Sequence, residues 1–260
     1  MSQYAFDNTS EQERTRLASL EALLDVGTIR HLEALGVSTG WSCLEVGGGG
    51  GSIVSWLCER VGSSGHVLAT DLETKPLDRL TYANLAVRRH DIVSDPVPVG
   101  QFDLVHTRWV LAWLPNPRQV LTRMVSALRP GGWLLVEETD LVTLNHSAAP
   151  ESFLKVARAF CDALPARSGL DIFYGRRVYS DVWAQGLVEV GAEGRVCMLH
   201  GGGANSRWLR LSIERVRAHM EGSGTVSNTE IEETLALLDD PAFAALSPMT
   251  MAVWGRRPEI

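Results

Sequence analysis

The 260-residue sequence has few cysteines, no long apolar run and no excess of basic residues. Its four cysteines, Cys43, Cys58, Cys161 and Cys197, lie far apart and without CxxC spacing, which argues against a zinc motif and a disulfide framework. No stretch approaches the roughly 18 apolar residues of a membrane span, and the first residues lack the basic and apolar segments of a signal peptide. We therefore expect a cytoplasmic protein without a membrane partner.

The charge balance is acidic. Lys and Arg number 24 against 31 Asp and Glu, which gives a net charge of -7. A protein that binds nucleic acid needs a basic face for the phosphates, so DNA and RNA are not expected partners. Hydrophobic residues at 45% and charged residues at 21% are typical of a folded globular chain, which excludes a disordered or collagen-like protein.

Short apolar runs alternate with helical patterns between residues 40 and 140. This alternation predicts βαβ units, a parallel sheet and helices on both of its faces. The predicted fold class is therefore α/β, with three α/β/α layers. The predicted strands cover residues 42–46, 66–71, 86–89, 102–106 and 133–137.

The flanking regions are predicted to be mainly helical. Residues 1–40 form an N-terminal helical cap, with one helix through the leucines near Leu20 and a second, short helix at 28–35. Residues 41–260 form the main domain, with a helical cap insertion at about 203–245. The predicted elements of this second half are helices at 151–164, 176–187, 205–221 and 228–239 and strands at 195–200 and 249–255.

Five consecutive glycines, Gly47 to Gly51, join the first strand to the next helix. Such a turn brings backbone N–H groups close to a ligand. The dinucleotide fingerprint needs glycines at positions one, three and six, and no register here ends in Gly or Ala. A P-loop needs Gly-Lys-Ser/Thr, and no lysine follows this run. The pattern that fits is Glu45-x-Gly47-x-Gly49-x-Gly51.

This pattern and the strand ends that follow it resemble the class I S-adenosylmethionine-dependent methyltransferases. Residues 44–49 resemble the first motif of that family, Asp71 its ribose-binding acid, and Asp91-Ile92 its adenine-contacting pair. Residues 102–107 and 128–134 resemble its fourth-strand and fifth-strand motifs. The resemblance implies a Rossmann-like methyltransferase fold whose sheet has seven mainly parallel strands and an antiparallel last strand. It also implies S-adenosylmethionine as cofactor and S-adenosylhomocysteine as product.

The cofactor residues are carried over from these motifs. Asp71 suits the ribose hydroxyls and Asp91 the adenine amine, although either also suits a cap or turn position. We expect Glu45 to bind the cofactor ammonium through water or to shape the loop. The predicted cofactor-binding residues are Glu45, Gly47, Gly49, Gly51, Asp71, Leu72, Asp91, Ile92, Thr107 and Arg108. Further candidates at the cofactor are Arg14 or Arg16 for the methionine carboxylate, with Tyr4 and Phe6 closing over the site.

Methyl transfer is an in-line displacement at an activated sulfonium carbon, so positioning the acceptor supplies most of the rate. A base is needed only when the acceptor must lose a proton. The candidate bases are His106, which ends the fourth strand and equally suits a core position, and His146, in the loop after the fifth. Trp109, Trp113 and Tyr174 are predicted to contact an apolar acceptor, with core packing as the alternative for the tryptophans.

The predicted function is methyl transfer from S-adenosylmethionine to a small organic acceptor, at an oxygen of a specialised metabolite. The alternative is a protein that binds S-adenosylmethionine without transferring its methyl group. Such a protein is a partner or scaffold, or an enzyme that uses the bound cofactor in non-methyl chemistry. We expect no metal site, and a monomer or homodimer.

Overall fold

The computed structural model describes residues 11–259, apart from the side chain of Arg167. Its α-helices are Glu11–Ala34 (α1), Ser52–Val61 (α2), Pro117–Ala127 (α3), Val142–Asn145 (α4), Glu151–Ser168 (α5), Gly175–Trp183 (α6), Ala204–Gly222 (α7) and Asn228–Asp239 (α8). Its strands are Ser42–Val46 (β1), His66–Asp71 (β2), Leu85–Arg89 (β3), Phe102–Arg108 (β4), Leu128–Asp140 (β5), Val188–Arg195 (β6), Met198–His200 (β7), Ala244–Leu246 (β8) and Met249–Arg256 (β9).

Seven strands form the main sheet in the order β3-β2-β1-β4-β5-β9-β6. Strands β1 to β5 pair in parallel, and β9 lies antiparallel between β5 and β6. The predicted α/β fold, with its mainly parallel sheet of seven strands and its antiparallel last strand, is confirmed. The strand order reverses between β1 and β4, and open α/β sheets bind ligands at the carboxyl ends of strands beside such a point.

The central strands are buried on both faces, as parallel strands covered by helices must be. Leu44 and Val105 are almost fully buried, and they are paired in register between β1 and β4. Asp103 is the polar exception within β4. Its carboxylate accepts the Ser42 N–H at 2.8 Å and forms an ion pair with Arg129. Asp103 therefore joins two neighbouring strands and has a local structural role.

The N-terminal region contains one long helix where the sequence predicts two. The helix α1 runs without interruption from Glu11 to Ala34, so the separate short helix at 28–35 is wrong. Gly27 lies inside α1, where a Cβ atom would stand 2.6 Å from Nη1 of Arg195. This glycine allows close packing against β6 and does not end the helix. None of the described helices is both long enough and apolar enough to cross a bilayer.

The strand predicted at 195–200 is also corrected. The strand that completes the main sheet is β6, which begins earlier, at Val188, and ends at Arg195. The sequence of β6 contains glutamates and glycines because it lies at the sheet edge with much of its surface exposed, so it lacks an apolar run. The strand β7 pairs instead with β8 in a separate two-stranded sheet. Helices α7 and α8 connect these two strands, and α7 packs along α1.

Candidate functional site

A cavity of about 380 Å³ opens at the carboxyl ends of β1, β2 and β4. Its volume lies within the usual range for small-molecule sites. One wall comes from α1 and the others from the loops that follow the strands. The lining residues are Arg16, Leu17, Leu20, Glu21, Val46, Gly47, Gly48, Gly49, Gly50, Thr70, Asp71, Leu72, Glu73, His90, Asp91, Ile92, Arg108, Trp109, Val110, Trp113, Leu114 and Ser168.

The glycine loop is held on one side by β2. The N–H groups of Gly47 and Gly48 donate to the carbonyl oxygen of Thr70 at 2.8 and 3.1 Å. Gly47 has a φ of 76°, and a Cβ atom there would lie 2.3 Å from Cγ2 of Val110. Both the backbone conformation and the available space therefore require glycine at this position. The loop therefore presents only backbone atoms to the cavity.

Asp71, which ends β2, lies beside this loop in the cavity. Its Oδ2 accepts the Gly49 N–H at 3.0 Å, and its Oδ1 accepts the Glu73 N–H at 3.1 Å. Burial raises the pKa of Asp71, and these two hydrogen bonds oppose the shift. Each oxygen of an ionised carboxylate can accept further hydrogen bonds, so Asp71 can also accept from ligand hydroxyls. Leu72 forms the exposed rim of the same wall.

His90, Asp91 and Ile92 form the next wall, after β3. Nε2 of His90 lies 3.2 Å from the carbonyl oxygen of Pro96, which fixes the imidazole at the cavity edge. Oδ1 of Asp91 accepts the Val93 N–H at 2.9 Å, an interaction typical of a turn acid. Asp91 therefore shapes its own loop and also lines the cavity, so the turn role and the ligand role predicted for it are compatible.

The helix α1 contributes charged residues that the sequence motifs do not indicate. Oε1 of Glu21 accepts the Ser52 N–H, the first of helix α2, at 3.2 Å. Burial raises the pKa of Glu21, and the hydrogen bond from Ser52 opposes that shift. Arg16 lines the cavity and forms a bidentate pair with Glu13. Of the other candidates here, Arg14 is not in the lining, and Tyr4 and Phe6 lie outside the described residues.

The turn after β4, next to the glycine loop, forms an apolar wall of the cavity. Trp109, Val110, Trp113 and Leu114 lie in this turn, as predicted for the two tryptophans. Trp109 has a φ of 57°, which is uncommon for a residue other than glycine, and its ring packs edge-on against Trp208 of α7 at 5.6 Å.

Glu138 holds this turn from β5. Its Oε1 accepts the N–H groups of Val110 and Leu111 at 3.0 and 2.6 Å. Burial raises the pKa of Glu138 to about 8, against the effect of these hydrogen bonds. The carboxyl group therefore fixes the backbone on which the tryptophan wall depends.

The structure places three predicted cofactor residues outside the cavity lining. Glu45 is buried beneath the loop, with its Oε2 2.6 Å from Nδ1 of His106. Thr107 is also buried, and its hydroxyl donates to the carbonyl oxygen of Val46 at 2.9 Å. Gly51 precedes α2 and faces the side chain of Leu80. Glu45 and Thr107 therefore act on the loop and strands from below, because their polar atoms are engaged within the sheet.

Neither candidate base faces the cavity. His106 is fully buried between Glu45 and Glu137, and His146 is exposed with its Nδ1 2.8 Å from the carbonyl oxygen of Val142. Tyr174 is also buried away from the cavity, and its hydroxyl donates to Asp181 at 3.1 Å. These three residues are corrected to structural roles, because two buried carboxylates enclose His106 and local hydrogen bonds hold the other two.

The sequence match is strongest around the glycine loop. Residues 44–136 match the family described as a methyltransferase domain. Methyltransferase str3 of Strobilurus tenacellus is 36% identical over 100 residues, which cover 38% of this chain and 35% of that protein. The ubiquinone/menaquinone biosynthesis C-methyltransferase UbiE of Laribacter hongkongensis is 35% identical over 117 residues, which cover 43% of this chain and 48% of that one. The chain thus matches less than half the length of either curated relative.

The fold likeness extends over nearly the whole chain. Phosphoethanolamine N-methyltransferase 2 of Haemonchus contortus, solved in complex with S-adenosyl-L-methionine, superposes with a TM-score of 0.62 at 15% identity. The superposition covers 99% of this chain and 59% of that one, and at this identity it shows the fold alone. The chain therefore contains a methyltransferase domain at residues 44–136 and has the fold of the class I S-adenosylmethionine-dependent methyltransferases. These findings support the predicted resemblance to that family.

His106 provides a pH prediction. Burial alone would lower its pKa, but the carboxylates of Glu45 and Glu137 raise it to about 9. The folded state therefore holds this proton more tightly than the unfolded state, where the pKa is near 6.5. We expect the contribution of His106 to the free energy of unfolding to be complete below about pH 6.5 and lost as the pH rises through about 9.

Chemical unfolding from pH 6 to 10 measures this dependence, with His106→Gln as the comparison because other groups also titrate in that range. The variant should show a shallower decline in stability than the original chain. An imidazole NMR titration of His106 checks the assignment directly, and a midpoint near 6.5 would contradict the charged state.

Proposed function

We propose that this chain transfers a methyl group from S-adenosylmethionine to a small, largely apolar acceptor. The observation that carries the proposal is one cavity lined both by carboxylates around a glycine loop and by a wall that contains two tryptophans. Bound S-adenosylmethionine supplies an activated methyl group on a sulfonium centre. The protein then has to hold cofactor and acceptor in line, a task for which this cavity is suited.

The charges of the lining support this cofactor. Four carboxylates line the cavity, against two guanidinium groups, those of Arg16 and Arg108. This balance suits a ligand that bears a sulfonium and an ammonium group, and it disfavours a pyrophosphate. The carboxylates are those of Glu21, Asp71, Glu73 and Asp91.

We assign the parts of the cofactor by chemistry. Asp71 accepts from the ribose hydroxyls, and Asp91 with Ile92 receives the adenine. The glycine loop and Glu21 face the amino-acid end, where the Glu21 carboxylate attracts the ammonium. Arg16 attracts the methionine carboxylate.

The part of the cavity beside the tryptophan wall is proposed to hold the acceptor. Trp109, Trp113 and Leu114 offer flat apolar surfaces, and Ser168 is the polar neighbour at this end. The two candidate bases, His106 and His146, do not line this cavity. Positioning is therefore proposed to supply the catalysis, with an acceptor that is nucleophilic without a protein base.

The finer assignments are an oxygen atom of a specialised metabolite as acceptor, a cytoplasmic location and a monomeric or homodimeric state. The four cysteines are free thiols, three of them buried, which supports a reducing compartment. The relative from Laribacter hongkongensis is named a C-methyltransferase, so product analysis has to locate the new methyl group.

Methyl transfer can be tested with S-adenosylmethionine labelled in its methyl group and a panel of small acceptors that need no protein base, namely phenols and enols ionised at the assay pH and nitrogen heterocycles. We expect label in an acceptor and an equal amount of S-adenosylhomocysteine. Tight binding of the cofactor without label transfer across the panel would favour the alternative, a binding protein or non-methyl chemistry. Absence of binding would contradict the cofactor assignment itself.

The Asp71→Ala variant tests the ribose assignment. Loss of charge-assisted hydrogen bonds should weaken S-adenosylhomocysteine binding by roughly 1–3 kcal/mol. Isothermal titration calorimetry measures the change. Asp78→Ala is the matched control, since Asp78 is exposed on the same loop and outside the cavity lining. Equal affinity of the Asp71→Ala variant and the original chain would disprove the assignment.

The Trp113→Ala variant tests the acceptor end. Loss of one apolar wall should raise the KM for the acceptor about tenfold, as expected for about 1.4 kcal/mol of lost contact. The affinity for S-adenosylhomocysteine should change much less. Steady-state kinetics and calorimetry provide the two values. A larger loss of cofactor affinity than of acceptor affinity would move Trp113 into the cofactor site.

A further inference from the structure

The helix α1 contacts both the cavity and the central strands. Its first half forms a wall of the cavity through Arg16 and Glu21. Its second half lies over the carboxyl ends of β4 and β5. A stripe of polar residues at helical spacing, Glu21, Asp25, Thr28 and His31, faces the sheet along this length, and we call it the α1 polar stripe. The contacts of this stripe determine how α1 lies against the cofactor site.

The lower part of the stripe meets a single carboxylate. The Thr28 hydroxyl donates to Oε2 of Glu137, and Nδ1 of His31 lies 3.2 Å from Oε1 of the same residue. Glu137 lies on β5 and is 2% exposed. Both of its oxygens therefore engage α1 at a buried position.

The upper part of the stripe continues to the glycine loop. Nη1 of Arg108 donates to the Thr28 hydroxyl at 2.9 Å and forms an ion pair with Asp25 at 2.9 Å. Asp25 accepts the Ser52 hydroxyl at 3.0 Å, and Glu21 accepts the Ser52 N–H. A continuous series of polar contacts thus runs from Glu137 to the start of α2.

The charge of Glu137 is maintained by histidines. Nε2 of His106 lies 3.5 Å from Oε2 of Glu137. Burial would raise the pKa of Glu137, but the contacts with His106 and His31 hold it far below its usual range. A buried carboxylate without such partners would be strongly destabilising. Glu137 is therefore a fixed anion at the base of α1.

We propose that Glu137 is a positioning residue for the cofactor site, because its carboxylate fixes α1 through Thr28 and His31 and so sets the place of Glu21 beside the glycine loop. This inference rests on the proposed cofactor assignment. Glu137 lies outside the cavity lining and acts through α1.

The adjacent residue of β5 offers a matched control. Glu138 is equally buried but points to the other face of the sheet, where it accepts N–H groups from Val110 and Leu111. A general loss of stability should affect both glutamates alike. A positioning role predicts that only Glu137 controls α1.

The experiment compares Glu137→Gln and Glu138→Gln by hydrogen exchange with mass spectrometry and by calorimetry with S-adenosylhomocysteine. For Glu137→Gln we expect faster exchange confined to α1 and binding weakened roughly 3- to 30-fold. Saturating S-adenosylhomocysteine should restore part of the α1 protection. For Glu138→Gln the faster exchange should fall on residues 109–114, with α1 unchanged.

The Thr28→Val variant keeps the proposal testable if Glu137→Gln does not fold. It removes one hydrogen bond to Glu137 while keeping the shape of the side chain. We expect faster hydrogen exchange in α1, as for Glu137→Gln, with a smaller loss of affinity for S-adenosylhomocysteine. Uniform exchange over the whole sheet, or a loosened α1 with unchanged affinity, would overturn the positioning role alone. Failure of the original chain to bind S-adenosylhomocysteine would overturn the proposed function as well.

Discussion

The arrangement of the site depends on one buried histidine and the two carboxylates beside it. His106 lies between the carboxylates of Glu45 and Glu137, at 2.6 and 3.5 Å, within the central strands. Burying three such groups is costly, and their mutual contacts offset that cost only while all three remain in place. One carboxylate lies under the glycine loop and the other under α1. The same histidine therefore supports both walls of the cofactor end.

The cavity combines two environments that are built by different means. The polar environment uses strand ends, where carboxylates and backbone N–H groups converge at the reversal of strand order. The apolar environment uses the turn after β4, which holds Trp109 in an uncommon backbone conformation and is fixed by the buried Glu138. In the proposed reaction, a methyl donor and an apolar acceptor occupy these two environments side by side. The geometry supports positioning as the main catalytic contribution of the protein.

The helices α1 and α7 contribute to the cavity in different ways. The helix α1 lines the cavity, whereas α7 lies behind it and reaches the site indirectly, through the contact of Trp208 with Trp109. The 203–245 insertion is closed at its base by the pairing of β7 with β8. None of its residues belongs to the cavity lining in the described part of the chain. Its role as a cap over the site therefore stays a prediction.

The sequence alone determined the α/β class, the parallel strands and the glycine loop, since these depend on local periodicity and on backbone conformations that only glycine adopts. It also placed Asp71, Asp91 and the two tryptophans at the cavity, because strand ends in a parallel sheet meet at one edge. The tertiary structure decided the rest. His106 turned inward, Glu45 became its partner, and Glu21 entered the site from a distant helix. Such pairings follow from packing between elements that are far apart in the chain. They therefore produce no characteristic residue spacing by which the sequence could predict them.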